Sequence, residues 1–294
     1  MEENVILSVK NLKQYFEFKS AYVKAVNGVS FDVKKGEILA LAGESGCGKS
    51  TTAKCIMGLN RITSGEIYFK GNKISDRNVY RAHSKDIHKN LQIVFQDSAS
   101  ALNPKMRIKD IIAEPLRANN ICTSQAALDK RVESLMEQTG LDLIYKDRYP
   151  YELSGGQRQR AAIARSISTS PDLIIADEPI ASLDVSIQAQ IVNLFKRLQR
   201  EHGFSFIFIA HDLSVVKYIS DRTAVMLKGR IVEMAPTTEL FKNPLHGYTK
   251  ALISAVPLPD PIYERNKKIL EYDFSEFNEN GRLTEVLPEH FVYK

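Results

Sequence analysis

Glycines, a lysine and hydroxyl groups crowd residues 43–51, GESGCGKST, in the pattern G-x-x-x-x-G-K-[ST]. The stretch follows an apolar run, EILALAG (37–43), and leads into a helical one, STTAKCIMGL (50–59), the strand–loop–helix context that gives the pattern meaning. Gly43, Gly46 and Gly48 let the backbone wrap closely and aim its N–H groups at phosphate oxygens, and the helix N-terminus adds favourable partial charge. Lys49 then reaches the β- and γ-phosphates of a nucleotide, and the Ser50 hydroxyl ligates Mg²⁺. A merely structural glycine turn has no need of Lys-Ser after its third glycine.

Two carboxylates form a second constellation in LIIADEP (173–179). If Leu173–Ala176 is a buried parallel strand, Asp177 and Glu178 emerge at its carboxyl end, where α/β sheets bind ligands. Asp177 then holds Mg²⁺ through water, and Glu178 polarises the attacking water as general base. Gln96 ends the run LQIVFQ and His211 ends FSFIFIAH, so both emerge at the same sheet edge as Asp177. Gln96 suits sensing the metal and water, and His211 suits contact with the γ-phosphate. A third stretch, LSGGQRQRAAIARSI (153–167), has the glycine-rich start of a phosphate-binding helix but no lysine in place and no buried strand before it. Ser154 reads as its cap and Gly155-Gly156 as exposed N–H groups. Arg158, Arg160 and Arg165 on that helix are either solvated or bound to acidic neighbours.

These groups need elements to position them. EILALAG, LQIVFQ, LIIADE, FSFIFIAH and TAVMLKG are apolar runs without alternation, the pattern of strands covered on both faces in a parallel α/β sheet. Between about 105 and 170, IKDIIAEPLRAN, SQAALDKRVESLMEQTGL and GGQRQRAAIARSIS have helical periodicity with no strand run between them, which predicts a helical subdomain inserted in the α/β core. After Pro257, prolines, asparagines and mixed charge read as an extended or loosely packed tail, 258–294.

Composition narrows the class. The 294 residues are 44% hydrophobic and 26% charged, enough for a proper core in one large domain with an appendage, or two lobes. The start, MEENVILSVK, is acidic where a secretory signal is basic, and no apolar stretch approaches the about 18 residues of a membrane span, so a cytosolic protein that meets a membrane through partners is expected. Three cysteines, Cys47, Cys55 and Cys122, offer no CxxC pair and read as reduced thiols. A net charge of +5, scattered along the chain, permits nucleic-acid binding without indicating it. Cys47 sits beside Lys49 and loop N–H groups, which predicts a lowered thiol pKa and alkylation that blocks hydrolysis unless MgATP protects.

In this order the motifs resemble those of the nucleotide-binding subunits of ABC transporters. The resemblance covers residues 6 to about 257: Walker A at GESGCGKST, the Q-loop glutamine in VFQD, the signature LSGGQRQR, Walker B at LIIADEP, the D-loop SLD (182–184) and the switch histidine in AHD. SLDVSIQAQIVNLF, HDLSVVKYISDRTAVMLKGRIVE and NPLHGYTKALISAVPLPDP look like the ATPases of oligopeptide and dipeptide importers, whose close relatives carry nickel. VKNLKQYFEF and AEPLRAN look more like the F-type than the D-type member of the ATPase pair. Many members carry a C-terminal iron–sulfur cysteine cluster, but no cysteine follows Cys122 here, so that cofactor is not carried over.

The resemblance implies a P-loop ATPase core with a RecA-like parallel sheet, an N-terminal antiparallel β region and the inserted α-helical subdomain, with 1–257 as the ATPase domain. It places ATP on Gly43, Glu44, Ser45, Gly46, Cys47, Gly48, Lys49, Ser50 and Thr51, with Mg²⁺ on Ser50, Gln96 and Asp177. It implies that Ser154, Gly155, Gly156 and Gln157, with Asp184 of the D-loop, cover the nucleotide of a second subunit. An aromatic residue near the N-terminus would stack on adenine; Phe16 is favoured, Tyr15 and Tyr22 compete, and core packing is the plain alternative. The implied partners are a second ATPase subunit of D-type, two transmembrane permease subunits and an extracytoplasmic solute-binding protein, with no nucleic acid, at the cytoplasmic face of the membrane. Peptide and nickel cargo stay open. A DNA-maintenance ATPase of the head-domain kind would place long coiled coils between Walker A and the signature, a translation-associated protein would carry two cassettes, and a non-catalytic regulatory subunit would lack Glu178 or His211.

Overall fold

The structure is a computed structural model that describes residues 4–18, 21–257 and 267–294. The chain divides into two compact units, one of residues 1–33, 37–75 and 207–294, the other of 34–36 and 76–206.

In the first unit, β1 (Val5–Phe18), β2 (Ala21–Lys34), β4 (Ser64–Phe69) and β5 (Asn72–Lys73) form a four-stranded sheet of order β2-β1-β4-β5. β1 runs antiparallel to β4, and β4 to β5, so the N-terminal antiparallel region is present. β3 (Ile38–Ala42) is followed by α1 (Lys49–Ile56) and belongs to a mixed sheet. Its five residues, ILALA, are all buried, as a strand covered on both faces requires. It pairs in parallel with β9 (Arg222–Leu227), Leu39 opposite Arg222 and Ala42 opposite Val225. β9 turns back through Lys228 and Gly229, both at positive φ, into antiparallel β10 (Arg230–Pro236). That two-residue turn matches the twist of the strands it joins.

The reading of 258–294 as a loose tail is corrected at 283–293; 267–282 are largely extended and exposed, and 258–266 lie outside the described residues. β11 (Leu283–Leu287) and β12 (His290–Tyr293) form an antiparallel hairpin, and β12 pairs with β10. Val292 and Tyr293 are buried, Tyr293 in a cluster with Val225, Val232, Leu240 and Tyr248. The His290 Nε2 lies 2.7 Å from Glu233 Oε1, both side chains fully buried, and the two Glu233 oxygens also accept the N–H groups of Leu245 and His246 at 2.8 and 2.9 Å. A buried carboxylate persists only with such partners, and His290 supplies one from the hairpin. Helices α9 (Leu213–Ile219), α10 (Thr237–Lys242) and α11 (Gly247–Ser254) complete this unit.

In the second unit, α2 (Arg77–Ala82) and α3 (Ser84–Asn90) lead to β6 (Leu91–Val94), which pairs in parallel with β7 (Leu173–Asp177), Val94 opposite Ala176. All five residues of β7 are buried, whereas β6 is the edge strand and leaves Gln92 and Ile93 half-buried. Covering of LQIVFQ on both faces is therefore not found. Between β6 and β7 lie α4 (Ser98–Ala101), α5 (Ile108–Ala118), α6 (Gln125–Gln138) and α7 (Gly155–Ile167), with no strand among the described residues. α5 and α6 bury Ile111, Ile112, Leu116, Val132, Leu135 and Met136, the stripes their periodicity predicts. α8 (Val185–His202) follows β7 and closes at Gly203, in the left-handed conformation helix ends favour. The boundary between the units falls within β8 (Ser205–Ala210), all six residues of which are buried.

Candidate active site

The phosphate loop is built by close backbone approach. A Cβ on Gly43 (φ +140°) would stand 2.3 Å from the Met226 carbonyl oxygen, and one on Gly48 (φ +111°) 2.3 Å from that of Ala25. No side chain fits at either place. Gly46 (φ +80°) has nothing within 4 Å, so its conformation, not crowding, calls for glycine, and the crest of the loop stays open. Gly229 N donates to the Cys47 carbonyl at 2.9 Å, and Glu44 N donates to the Tyr248 hydroxyl at 3.2 Å, so elements far along the chain hold the loop at both shoulders.

Lys49 is buried and its ammonium donates to the Gly43 and Glu44 carbonyls at 2.7 and 2.8 Å, which stretches the side chain back across the loop. Two of its three donors are thereby committed to carbonyls, and the third points to the Cys47 sulfur at 3.7 Å, a weak bond that a phosphate oxygen can replace. α1 opens at Gly48 with no side chain capping it and no acid in its first turn. The N–H groups there favour an anion. Ser50 and Thr51 lie in that first turn, and Ser45 sits exposed at the crest.

Cys47 departs from expectation. Its thiol is buried 3.7 Å from the Lys49 ammonium, and loss of hydration raises its pKa more than Lys49 lowers it. The prediction of an activated thiol is overturned, because neighbouring charge was visible in the sequence and burial was not. Of the adenine candidates, Tyr15 gives its hydroxyl to Asn27 Oδ1 at 2.7 Å, while Phe16 is 41% and Tyr22 68% exposed. Phe16 thus stands out of the core, against the plain packing alternative. His211 follows β8 and is exposed.

In the second unit the register of β6 on β7 brings Gln96, two residues past β6, to the same end of the strands as Asp177, the last residue of β7, and Glu178, which follows it. Asp177 is buried, and Glu178 is half-buried with φ +47°. A left-handed backbone at a residue with a side chain costs on the order of 1–3 kcal/mol and collects where function fixes direction. Sequence reading placed Glu178 without foreseeing this bend.

Ser154 caps α7 by accepting from Gln157 N at 3.3 Å, and the Gln157 amide oxygen accepts from Ser154 N at 2.8 Å, a reciprocal capping box. The two glycines differ in duty. A Cβ on Gly156 would meet Ile187 Cγ2 at 2.7 Å and one on Gly155 would meet Leu183 Cδ2 at 3.3 Å, so the start of α7 lies tightly on the start of α8. Asp184 caps α8, accepting from Ile187 N at 3.1 Å and Ser186 Oγ at 2.7 Å, and these bonds lower its pKa. The signature and D-loop stretches, separate in the sequence reading, are therefore packed together. The helix arginines are structural ties: Arg158 to the Leu153 carbonyl, Arg160 to the Thr139 carbonyl at 2.6 Å, and Arg165 to Glu114 at 3.1 Å. Tyr248 is the residue that sequence reading quoted without giving it a duty.

An open glycine loop on a strand–helix junction, with its lysine drawn across it, and an acid pair ending a second buried strand define a P-loop ATPase. The ABC transporter family matches residues 26–181, and the oligopeptide/dipeptide transporter C-terminal region matches residues 232–279. The oligopeptide transport ATP-binding protein OppF of Bacillus subtilis is 50% identical over 98% of this chain and 95% of its own length. The dipeptide transport ATP-binding protein DppF of Lactococcus lactis is 44% identical over 99% and 95%. Among solved structures, the ATP-binding cassette MJ0796, described as dimeric in a post-hydrolysis state with ADP and Pi, has a TM-score of 0.72 and 27% identity over 79% of this chain and 99% of its own. The chain belongs to the ABC transporter family of ATP-binding subunits, in the group that carries the oligopeptide/dipeptide C-terminal region, and is an ATPase of that kind. Near end-to-end matching to relatives named as transport ATP-binding proteins sets aside the DNA-maintenance and translation readings.

Proposed function

We propose that this chain is the ATP-hydrolysing subunit that powers import of oligopeptides or dipeptides through a membrane ABC transporter. Similarity along 98% of the chain to a protein named for oligopeptide transport carries the reading. It would work at the cytoplasmic face of the membrane with two transmembrane permease subunits, a second ATPase of D-type and an extracytoplasmic solute-binding protein. No helix among the described residues is long and apolar enough to cross a membrane, so the membrane path would belong to the partners.

The residues fit a nucleotide and its metal. Gly43–Thr51 would cradle the phosphates, with Lys49 on the β- and γ-oxygens, and Phe16 would lie on adenine. Ser50, Gln96 and Asp177 offer the hard oxygen donors that suit Mg²⁺, and when bound the ion would neutralise charge on the phosphate oxygens. Glu178, its backbone bent to aim the carboxylate, would polarise the attacking water, and His211 would hold the γ-phosphate. The α7 start at Ser154, Gly155, Gly156 and Gln157, with Asp184 beside it, would close over the nucleotide of the second ATPase and exclude water.

Glu178→Gln should keep ATP binding and ATP-dependent pairing while turnover falls about 10²–10⁴-fold, the usual contribution of a positioned base. Normal hydrolysis would remove the general-base role. For cargo, the chain reconstituted in proteoliposomes with its permeases, partner ATPase and receptor should hydrolyse ATP faster when peptide is supplied outside. Stimulation by Ni²⁺ and not by peptide would overturn the peptide reading.

A further inference from the structure

A cleft of about 540 Å³ opens in the first unit, away from every residue of the phosphate loop. Its walls come from β1, β2, β9, β10 and the β11–β12 hairpin. Lys10, Lys13, Arg222, Arg230 and Arg282 line it, against one carboxylate, that of Asp32. The floor is apolar, with Phe31, Ile231, Leu283 and Phe291. A concave site with a few converging charges over an apolar floor, and a volume within roughly 300–1,000 Å³, is the usual form of a small-molecule site.

The charges are unequally matched. Arg222 pairs with Glu37 at 3.0 Å. Arg230 gives Nη2 to the Glu279 carbonyl at 2.7 Å and lies over the Tyr293 ring at 5.5 Å, and its Nη1 makes no hydrogen bond among the described residues. That Nη1 lies 3.8 Å from where a Gly28 Cβ would stand, so glycine leaves it room. Lys10 lies over the Tyr68 ring at 5.3 Å, and neither it nor Lys13 nor Arg282 forms an ion pair among the described residues. With Arg222 set against Glu37, Lys10 beside Glu66, its cross-strand neighbour, and one further cation against Asp32, two positive charges face the cleft uncompensated. Like charges gathered around a low-dielectric hollow focus a field that draws anions. The arginine fork adds the geometry that carboxylate and phosphate accept in pairs. The placement is also built by backbone: β1 shifts register between Lys10 and Lys13, Asn11 there takes φ +48°, and Asn11 N donates to Ser30 Oγ at 2.8 Å.

We propose that this cleft binds a small organic anion bearing two or more carboxylate or phosphate groups, joining the N-terminal sheet to the C-terminal hairpin. The site is separate from ATP and does not rest on the transport reading. Occupation would tie Arg282, which precedes β11, to Lys13 on β1 and to Arg230 on β10.

Isothermal titration of the full chain, with MgADP saturating the phosphate loop, tests this with two probes, sodium tripolyphosphate and sodium citrate. Saturable binding of one molecule of either probe, weakening as salt rises, is expected, and the probe preferred tells phosphate from carboxylate chemistry. Lys13→Glu with Arg282→Glu should weaken binding at least about tenfold, with MgATP hydrolysis within twofold of the parent. If the double charge reversal does not fold, Arg282→Gln, an exposed position, should still weaken binding severalfold. Absence of saturable binding for both probes, or affinity unchanged in the variants, overturns the proposal. So does binding only to phosphatidylglycerol vesicles, which would make this face a membrane-contacting surface.

Discussion

Removing one oxygen from Tyr248 isolates the link between the C-terminal region and the phosphate loop. The ring is 1% exposed and packs edge-on against Tyr272, with ring centroids 5.7 Å apart, while its hydroxyl accepts the Glu44 N–H at 3.2 Å. Tyr248→Phe keeps the packing and deletes that bond. A neutral hydrogen bond is worth about 1 kcal/mol net, and Glu44 is exposed enough for its N–H to turn to water, so the larger cost of a stranded donor does not apply. If the bond holds the loop in its phosphate-binding form, about 1 kcal/mol corresponds to ATP affinity about fivefold weaker. The assay is steady-state hydrolysis by the assembled transporter beside equilibrium binding of a fluorescent ATP analogue. KM should rise about fivefold with kcat within twofold, and Tm should fall by only about 2–4 °C. Burial raises the phenol pKa, so the hydroxyl keeps its proton and the bond through pH 9. The unfolded phenol ionises first, near pH 10, so this residue's contribution to stability is lost as pH rises beyond that point. An unchanged KM, or a fall in kcat with KM constant, would refute the positioning role.

Three further outcomes follow from packing and burial. Gly156→Ala puts a methyl 2.7 Å from Ile187 Cγ2, and should cost about 1–3 kcal/mol by chemical denaturation, with Ile187→Ala in the same chain recovering part of the loss. In the nucleotide-free protein at pH 8, iodoacetamide should modify Cys122, which is half-exposed, before Cys47 and Cys55, whose thiols burial pushes up, that of Cys55 to about 11. Peptide mapping that finds Cys47 labelled first would refute the burial argument. His290→Ala strands the buried Glu233 carboxylate and should destabilise the first unit by about 3–5 kcal/mol, measured by urea unfolding; a loss below about 1 kcal/mol would mean that Leu245 and His246 satisfy Glu233 alone.

Legibility tracked how local the physics was. β3, β7 and β8 were readable because strands covered on both faces must be apolar throughout, and the helices of 108–167 because one-sided burial imposes its period. The phosphate loop was readable because its chemistry needs Lys and Ser immediately after a glycine at a helix start. The β11–β12 hairpin was not, since residues 283–287 leave Thr284, Glu285 and Leu287 exposed and present no apolar run. Its place depends on β10 and on the His290–Glu233 contact, 57 residues apart in the chain. Tyr248 and Glu44 are 204 residues apart, a pairing no spacing rule reveals. Cys47 was misread and the Glu178 bend unseen because burial and left-handed backbone belong to the folded surroundings, not to neighbours in sequence.

The pairing of β3 with β9 sets a timetable for biosynthesis. Ile38 N donates to the Asp221 carboxylate at 2.8 Å across a separation of 183 residues. At about 5–20 residues per second, the ribosome needs roughly 10–40 s to supply that partner. Throughout that interval the wholly apolar ILALA segment has left the tunnel without the strand that covers its edge, and the Gly43 turn lacks the Met226 carbonyl against which it closes. The phosphate loop, written near the start of the message, therefore takes its closed form only after Met226, Gly229 and Tyr248 have been added, and is among the last parts of the first unit to become competent.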